Sequence, residues 1–309
     1  MTAHVAERGE GRGRVVLRLT GSYGASEHAI RAAIQVAKAF HSEIESLFVS
    51  DRQIFDAAGY LFVREIKTSA IGTSITGLGQ GEVGGRKGQA DADAGWLDVP
   101  AVSRQIELMH RALQRRVMEL ADREDVPVLG RRVNDTPLGA LARACQMAGP
   151  WNVVALGEPF NANSLARLDD LFERVTGMTG VVVVGPNAAA VSGPVVAVIE
   201  DAERVPGMLR AAERLAGAAA GAGVILAVAG ESRSSQVWLK HEVGQAVNSE
   251  VAGVVELGRP GGGTAVIAEA LRTLRPSFVL AEHGGKLVPH SGDFKAVVTA
   301  LACPLLVVR

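Results

Sequence analysis

Short apolar runs alternate with segments of helical periodicity along the chain, and the whole alternation occurs twice. In the first occurrence the runs predict five strands, at residues 15–19, 44–49, 126–133, 152–156 and 181–184. In the second they predict five more, at residues 195–199, 224–228, 251–257, 278–281 and 304–308. Strands that alternate with helices indicate right-handed crossovers and parallel sheets. The pattern therefore predicts one α/β domain written twice.

The helical segments carry start signals. Ser26 is placed to cap the first helix, and Ser103 begins the second. Thr136 and Pro137 form a cap followed by a proline at the first helical position. Further helices are predicted at residues 165–175, 208–219, 237–247, 265–274 and 295–301.

A long insertion, about residues 52–102, separates the second strand from the second helix. Residues 53–67 have helical periodicity and predict an amphipathic helix, whereas residues 72–95 are rich in glycine and poor in apolar side chains. One interpretation is a surface loop, and the other is a lid or docking arm at the carboxyl edge of the sheet. Limited proteolysis is expected to cut first within residues 72–95.

Composition restricts the classes of partner. The chain has 309 residues, of which 48% are apolar and 4% aromatic, and its net charge is −1. This balance predicts no binding of nucleic acid or anionic membranes. Residues 1–14 are polar and predict neither a signal peptide nor a membrane span, so a cytoplasmic location is expected. Cys145 and Cys303 are predicted to be reduced core residues.

The order of elements, with three local segments, resembles a tandem universal stress protein. The segments are Leu19-Thr20-Gly21-Ser22, the turn Asn134-Asp135-Thr136-Pro137, and the ending Ala302-Cys303-Pro304-Leu305-Leu306-Val307-Val308-Arg309. The resemblance implies two tandem doubly wound α/β domains, at residues 14–185 (the first half) and 193–309 (the second half). Each would be a five-stranded parallel sheet of order 3-2-1-4-5 with helices on both faces.

The resemblance also implies an assembly. Domains of this family pair through their fifth strands, so the two fifth strands of this chain are expected to pair as an intramolecular pseudo-dimer. A further homodimer of such chains is left open. An unpaired apolar fifth strand would promote aggregation.

Family members that bind ATP carry an Asp at the end of strand one and a glycine-rich loop after strand four. In the first half Thr20 takes the Asp position, next to Gly21 and Ser22, and only Gly157 remains of the glycine loop. Asp169 and Asp170 fall near the expected phosphate position, where carboxylates would repel a triphosphate. The first half therefore predicts a degenerate site.

In the second half Glu200 takes the Asp position, and Asp201 follows it. The segment after the fourth strand supplies the other candidate residues: His283, Gly284, Gly285, Lys286, Ser291 and Gly292. Such a segment is able to form a small anion-binding nest. The competing interpretation is a polar turn with a solvated lysine.

No residue pattern predicts a catalytic site or a metal site. The seven histidines show no ligand spacing, and only His283 and His290 share a loop. The first functional hypothesis is therefore a stress-response regulatory or binding module without enzymatic activity and without a cofactor, which acts through protein contacts or a small ligand. The alternative is a protein that binds ATP or AMP in its second half, with slow hydrolysis.

Overall fold

A computed structural model describes residues 13–19, 27–50, 99–146, 152–156, 168–185, 187–188, 192–219, 222–247, 252–259, 261–290 and 294–309. Within them the strands are β1 Arg14–Leu19, β2 Glu43–Ser50, β3 Val128–Asn134, β4 Asn152–Leu156, β5 Gly180–Val183, β6 Val195–Ile199, β7 Val224–Val228, β8 Ala252–Glu256, β9 Phe278–Glu282 and β10 Leu305–Val308. The helices are α1 Glu27–Ala39, α2 Val99–Asp122, α3 Pro137–Gln146, α4 Leu168–Arg174, α5 Val205–Ala218, α6 Arg233–Ala246, α7 Thr264–Thr273 and α8 Phe294–Ala300. A short 3-10 helix covers Ala202–Arg204.

All ten strands of the described chain form one mixed sheet. Their order is β3-β2-β1-β4-β5-β10-β9-β6-β7-β8. Neighbouring strands are parallel except β5 and β10, which are antiparallel. Two separate five-stranded sheets of order 3-2-1-4-5 are therefore not confirmed, because β5 and β10 join all ten strands into one sheet. The division into domains at residues 14–185 and 193–309 stays a prediction.

The β5–β10 pair is the seam of the sheet. Val182 faces Leu306 across the seam, and Gly180 faces Val308. The residues of β5 are fully buried, and those of β10 are buried up to its last position. The predicted pairing of these two strands is confirmed. It removes two apolar edges that would otherwise be open to other chains.

Each face of the sheet carries one apolar layer that crosses the seam. One layer combines α1 and α2 with α5 and α6, and it includes Ile30, Val117 and Leu215. The other combines α3 and α4 with α7 and α8, and it includes Leu141 and Leu271. Because both layers span the two halves, the halves share their hydrophobic core.

A local signal explains the start of α3. The hydroxyl of Thr136 accepts a hydrogen bond from the Gly139 backbone N–H at 3.2 Å, and Pro137 is the first residue of α3, as predicted. In contrast, α2 begins at Val99 rather than Ser103. Pro100 is tolerated there because the first turn of a helix has no intrahelical partner for its N–H. Residues 99–102 of the predicted insertion are therefore helical, and residues 52–98 lie outside the described residues.

Both cysteines are buried and neither forms a disulfide, as predicted. Cys145 lies in α3 and Cys303 lies just before β10. Burial raises the pKa of each thiol to about 12, and the carboxylate of Glu45 adds to this effect at Cys145. A thiol with so high a pKa is almost wholly protonated at neutral pH, so neither residue is a nucleophile in the folded chain.

Candidate functional site

The second half brings two segments to one point of the sheet edge. In the sheet β6 lies between β9 and β7. The chain leaves β6 towards β7 on one side and leaves β9 towards β10 on the other, so the two connections diverge at the gap between β6 and β9. Glu200 follows β6 directly, and residues 283–290, the 283–290 loop, follow β9. Parallel sheets bind ligands at such switch points, outside the carboxyl ends of the strands. The candidate residues Glu200, Gly284, Gly285 and Lys286 meet at this position.

The carboxylate of Glu200 binds the backbone of the 283–290 loop. The Lys286 backbone N–H donates to both Oε1 and Oε2 of Glu200, each at 2.8 Å. A backbone N–H at such a turn is the kind of donor that would hold a phosphate oxygen. In this chain an internal carboxylate occupies that donor.

Two glycines allow the loop to approach its neighbours closely. A Cβ on Gly285 would lie 2.7 Å from Oε1 of Glu200, which is too close for any side chain to fit without displacing the carboxylate. Gly284 has a φ of +86°, a conformation that L side chains rarely adopt, and a Cβ there would lie 2.5 Å from His290 Nε2. The glycines of the predicted nest thus accommodate protein side chains.

Further carboxylates make the edge of β6 and β9 acidic. Burial raises the pKa of Glu282 above its usual value; Arg204 opposes the effect, and Asp201 and Glu200 add to it. The Arg204 Nε lies 3.5 Å from Glu282 Oε1. Asp201 accepts a hydrogen bond from the Glu203 backbone N–H and so caps the short 3-10 helix. A polyphosphate placed here would face three carboxylates and one guanidinium group.

Lys286 does not have the solvated side chain of a simple polar turn. Its Nζ is buried and has no hydrogen-bond partner within the described part of the chain. Its carbonyl oxygen accepts a hydrogen bond from Thr264 Oγ1 at 2.8 Å, which ties the loop to the start of α7. A buried ammonium without a partner is costly, so this side chain favours an anion at the site.

The remaining predicted site residues fall outside the described residues. These are Thr20, Gly21, Ser22 and Gly157 of the first half, and Ser291 and Gly292 of the second. The degenerate site of the first half therefore stays a prediction.

His283 belongs to the predicted site, but its side chain faces the first half instead. Its Nε2 lies 2.9 Å from Oδ1 of Asp169 in α4, and His290 Nδ1 lies 2.9 Å from the same oxygen. Burial lowers the pKa of His283, whereas Asp169 opposes that effect. Sequence reasoning missed this cluster because Asp169 and His283 are more than a hundred positions apart. The indication that the sequence offered for this cluster was that His283 and His290 lie in the same loop.

Comparison with known proteins identifies the fold. No protein-family model matches the sequence, and no curated protein matches it. Among solved structures, a protein of Pseudomonas aeruginosa UCBPP-PA14 provisionally described as a universal stress protein is similar with a TM-score of 0.53 and 13% identity, over 96% of this chain and 92% of that chain. A universal stress protein of Archaeoglobus fulgidus DSM 4304 is similar with a TM-score of 0.50 and 12% identity, over 95% and 96%.

A functionally unknown protein of Pseudomonas aeruginosa PAO1 is similar in the same way, with a TM-score of 0.52 and 13% identity, over 95% of this chain and 92% of that chain. At such identities the similarity shows a shared fold. The chain has an α/β fold like that of universal stress proteins. No helix in the described ranges has both the length and the apolar character needed to span a membrane.

Proposed function

We propose that the chain is a stress-response binding module of the universal stress protein type whose second half does not use a nucleotide. It acts through protein contacts or through a small ligand other than ATP. The observation that carries the proposal is the contact of the Glu200 carboxylate with the Lys286 backbone N–H, 2.8 Å from each oxygen. In this proposal the two halves act as tandem domains that form a pseudo-dimer through the seam.

The physical reason is competition for one donor. A phosphate oxygen that approached the Lys286 N–H would have to displace a carboxylate that is already bound through both of its oxygens. A hydrogen bond with a charged partner contributes about 1.5–3 kcal/mol. The nucleotide would also bring negative charge towards Glu282, whose pKa is already raised by burial and by the carboxylates of Asp201 and Glu200. Both effects disfavour ATP.

The alternative is an adenine-nucleotide-binding protein, with slow hydrolysis in the second half. The buried Nζ of Lys286, which has no hydrogen-bond partner among the residues that the structure describes, supports it, because an anion near that atom would satisfy the ammonium group. In that case Glu200 would move aside when the ligand binds, and the loop would act as a nest after all.

Titration with nucleotide separates the two proposals. We expect that ATP or AMP with magnesium leaves the melting temperature of the full chain unchanged and produces no saturable heat in calorimetry, since a ligand selective for the folded state must stabilise it. Lys240→Ala serves as the control for Lys286→Ala, because Lys240 is an exposed lysine of α6 whose Nζ lies 2.9 Å from Glu256 of β8. Micromolar ATP affinity that is lost in Lys286→Ala and kept in Lys240→Ala would establish the alternative.

A further inference from the structure

We propose that Asp169, His283 and His290 form a site for a divalent first-row transition-metal ion, with zinc as the ion that the ligand set fits best. The site would join α4 of the first half to the 283–290 loop of the second. One ligand atom from each residue, a carboxylate oxygen or an imidazole nitrogen, lies within 4.8 Å of the other two. The inference is independent of whether the chain binds nucleotide.

The three ligand atoms converge on one point. The Nε2 of His283 and the Nδ1 of His290 each lie 2.9 Å from Oδ1 of Asp169. In a tetrahedral zinc site with bonds of about 2.0–2.1 Å, ligand atoms lie about 3.3 Å apart. The two contacts to Asp169 would each lengthen by a few tenths of an ångström, and the two imidazole nitrogens, which lie within 4.8 Å of each other, would take two of the tetrahedral positions. His290 is free to move in this way because its side chain is 69% exposed.

His283 is held rigidly with its nitrogen aimed into the cluster. Its backbone N–H donates to the carbonyl of Val308 at 2.8 Å, and its ring packs against Phe172 of α4 with a centroid distance of 4.5 Å. Only 9% of the side chain is exposed. The Nε2 atom is buried, and its close polar neighbour in the described chain is Oδ1 of Asp169 at 2.9 Å. A metal ion would replace this contact and bind both atoms.

The loop is shaped for the second imidazole. The ring of His290 meets that of His283 edge-on at 4.7 Å, and its Nε2 lies 2.5 Å from the position that a Cβ on Gly284 would take. A side chain at position 284 would therefore displace His290 from its place beside Asp169. This close approach ties the positive φ of Gly284 to the cluster.

The ligand set selects the class of ion. Two imidazoles and one carboxylate suit zinc and its neighbours in the first transition row, whereas magnesium and calcium prefer sites made of oxygen atoms. Three protein ligands leave a fourth position for water or for a ligand from solution. The matching segment of the first half, residues 157–163, contains no histidine. One ion per chain is therefore expected.

Calorimetric titration of the chelator-treated full chain, without a histidine tag, tests the site. We expect zinc chloride to bind saturably with a stoichiometry of one ion per chain and to raise the melting temperature. Magnesium chloride is expected to do neither. The absence of saturable zinc binding would overturn the proposal.

Variants locate the ion. We expect His290→Ala and Asp169→Ala each to weaken zinc binding at least tenfold. His241→Ala is the matched control, because His241 is an exposed histidine whose Nδ1 lies 3.6 Å from a single carboxylate, that of Glu242. It is expected to bind zinc as the unaltered chain does. If zinc affinity is the same in His290→Ala and Asp169→Ala as in the control, the ion binds elsewhere and the proposal is wrong.

Cobalt gives a readout of the coordination itself. Cobalt bound by imidazole and carboxylate groups in a four-coordinate site absorbs visible light, and we expect this band in the unaltered chain and in His241→Ala. The band should be lost in His290→Ala while the urea unfolding transition of that variant persists, since the side chain removed is on the surface. A band that survives in His290→Ala would contradict the assignment of that ligand.

Discussion

Removal of the Glu200 carboxylate tests whether the chain blocks its own anion position. In Glu200→Ala the backbone N–H of Lys286 loses a partner that it contacts at 2.8 Å through two oxygens. A hydrogen bond to a charged group contributes about 1.5–3 kcal/mol. Relief of repulsion from Glu282 and Asp201 returns less than about 1 kcal/mol at this partly exposed position. We expect the free energy of unfolding to fall by about 1–2 kcal/mol.

Urea denaturation followed by circular dichroism measures this free energy. Glu200→Gln keeps an acceptor oxygen but loses the charge, so it should lie between the unaltered chain and Glu200→Ala. Glu203→Ala is the control, because Glu203 is an exposed neighbour, and surface changes of this kind usually stay within about 0.5 kcal/mol. Inorganic phosphate should also stabilise Glu200→Ala more than it stabilises the unaltered chain.

Two results would show that Glu200 does not block this position. If Glu200→Ala unfolds within about 0.5 kcal/mol of the unaltered chain, the contact contributes little and does not close the position. If phosphate stabilises both proteins equally, the anion does not compete with Glu200 for the Lys286 N–H.

Three further predictions concern the rest of the fold. A chain that ends at residue 186 leaves β5 without β10, so it should self-associate in light scattering; a well-behaved monomer would contradict the role of the seam. Burial lowers the pKa of His110 below 6.5, with Arg132 and Arg111 adding to the effect and Glu107 opposing it. The unfolded chain therefore binds the proton first, and stability should fall as the pH drops below about 6.5, more steeply than in His110→Phe; equal slopes would exclude this account. Cys145 and Cys303 should react with a thiol reagent at neutral pH only after denaturant is added, and fast labelling of the folded chain would contradict their burial.

The sequence predicts those features that depend on local pattern. The apolar runs locate the strands because a parallel strand is buried on both faces, and Thr136 with Pro137 locates the start of α3 because both signals act within one turn. The start of α2 at Val99 was not predicted. A proline such as Pro100 usually indicates the end of a helix, although a helix accepts proline in its first turn.

The candidate site was predicted less fully, because its chemistry depends on side-chain direction. The sequence places Glu200 beside the 283–290 loop, but it does not show that the carboxylate turns onto the Lys286 backbone. Asp169 was interpreted as a carboxylate that repels phosphate, whereas in the fold it contacts His283 and His290. The seam brings α4 next to the end of β9, and this makes the contact of Asp169 with the two histidines possible. The spacing of residues in the sequence does not predict that these two segments are close in space.

The seam also frees the chain from a constraint of symmetry. In a dimer of identical subunits every substitution occurs twice, at positions related by the two-fold axis. Here both sides of the junction belong to one polypeptide, so Asp169 can face two histidines on one side while the corresponding segment on the other side has none. Covalent linkage therefore allows the two halves to diverge independently, and one junction can carry a single asymmetric site.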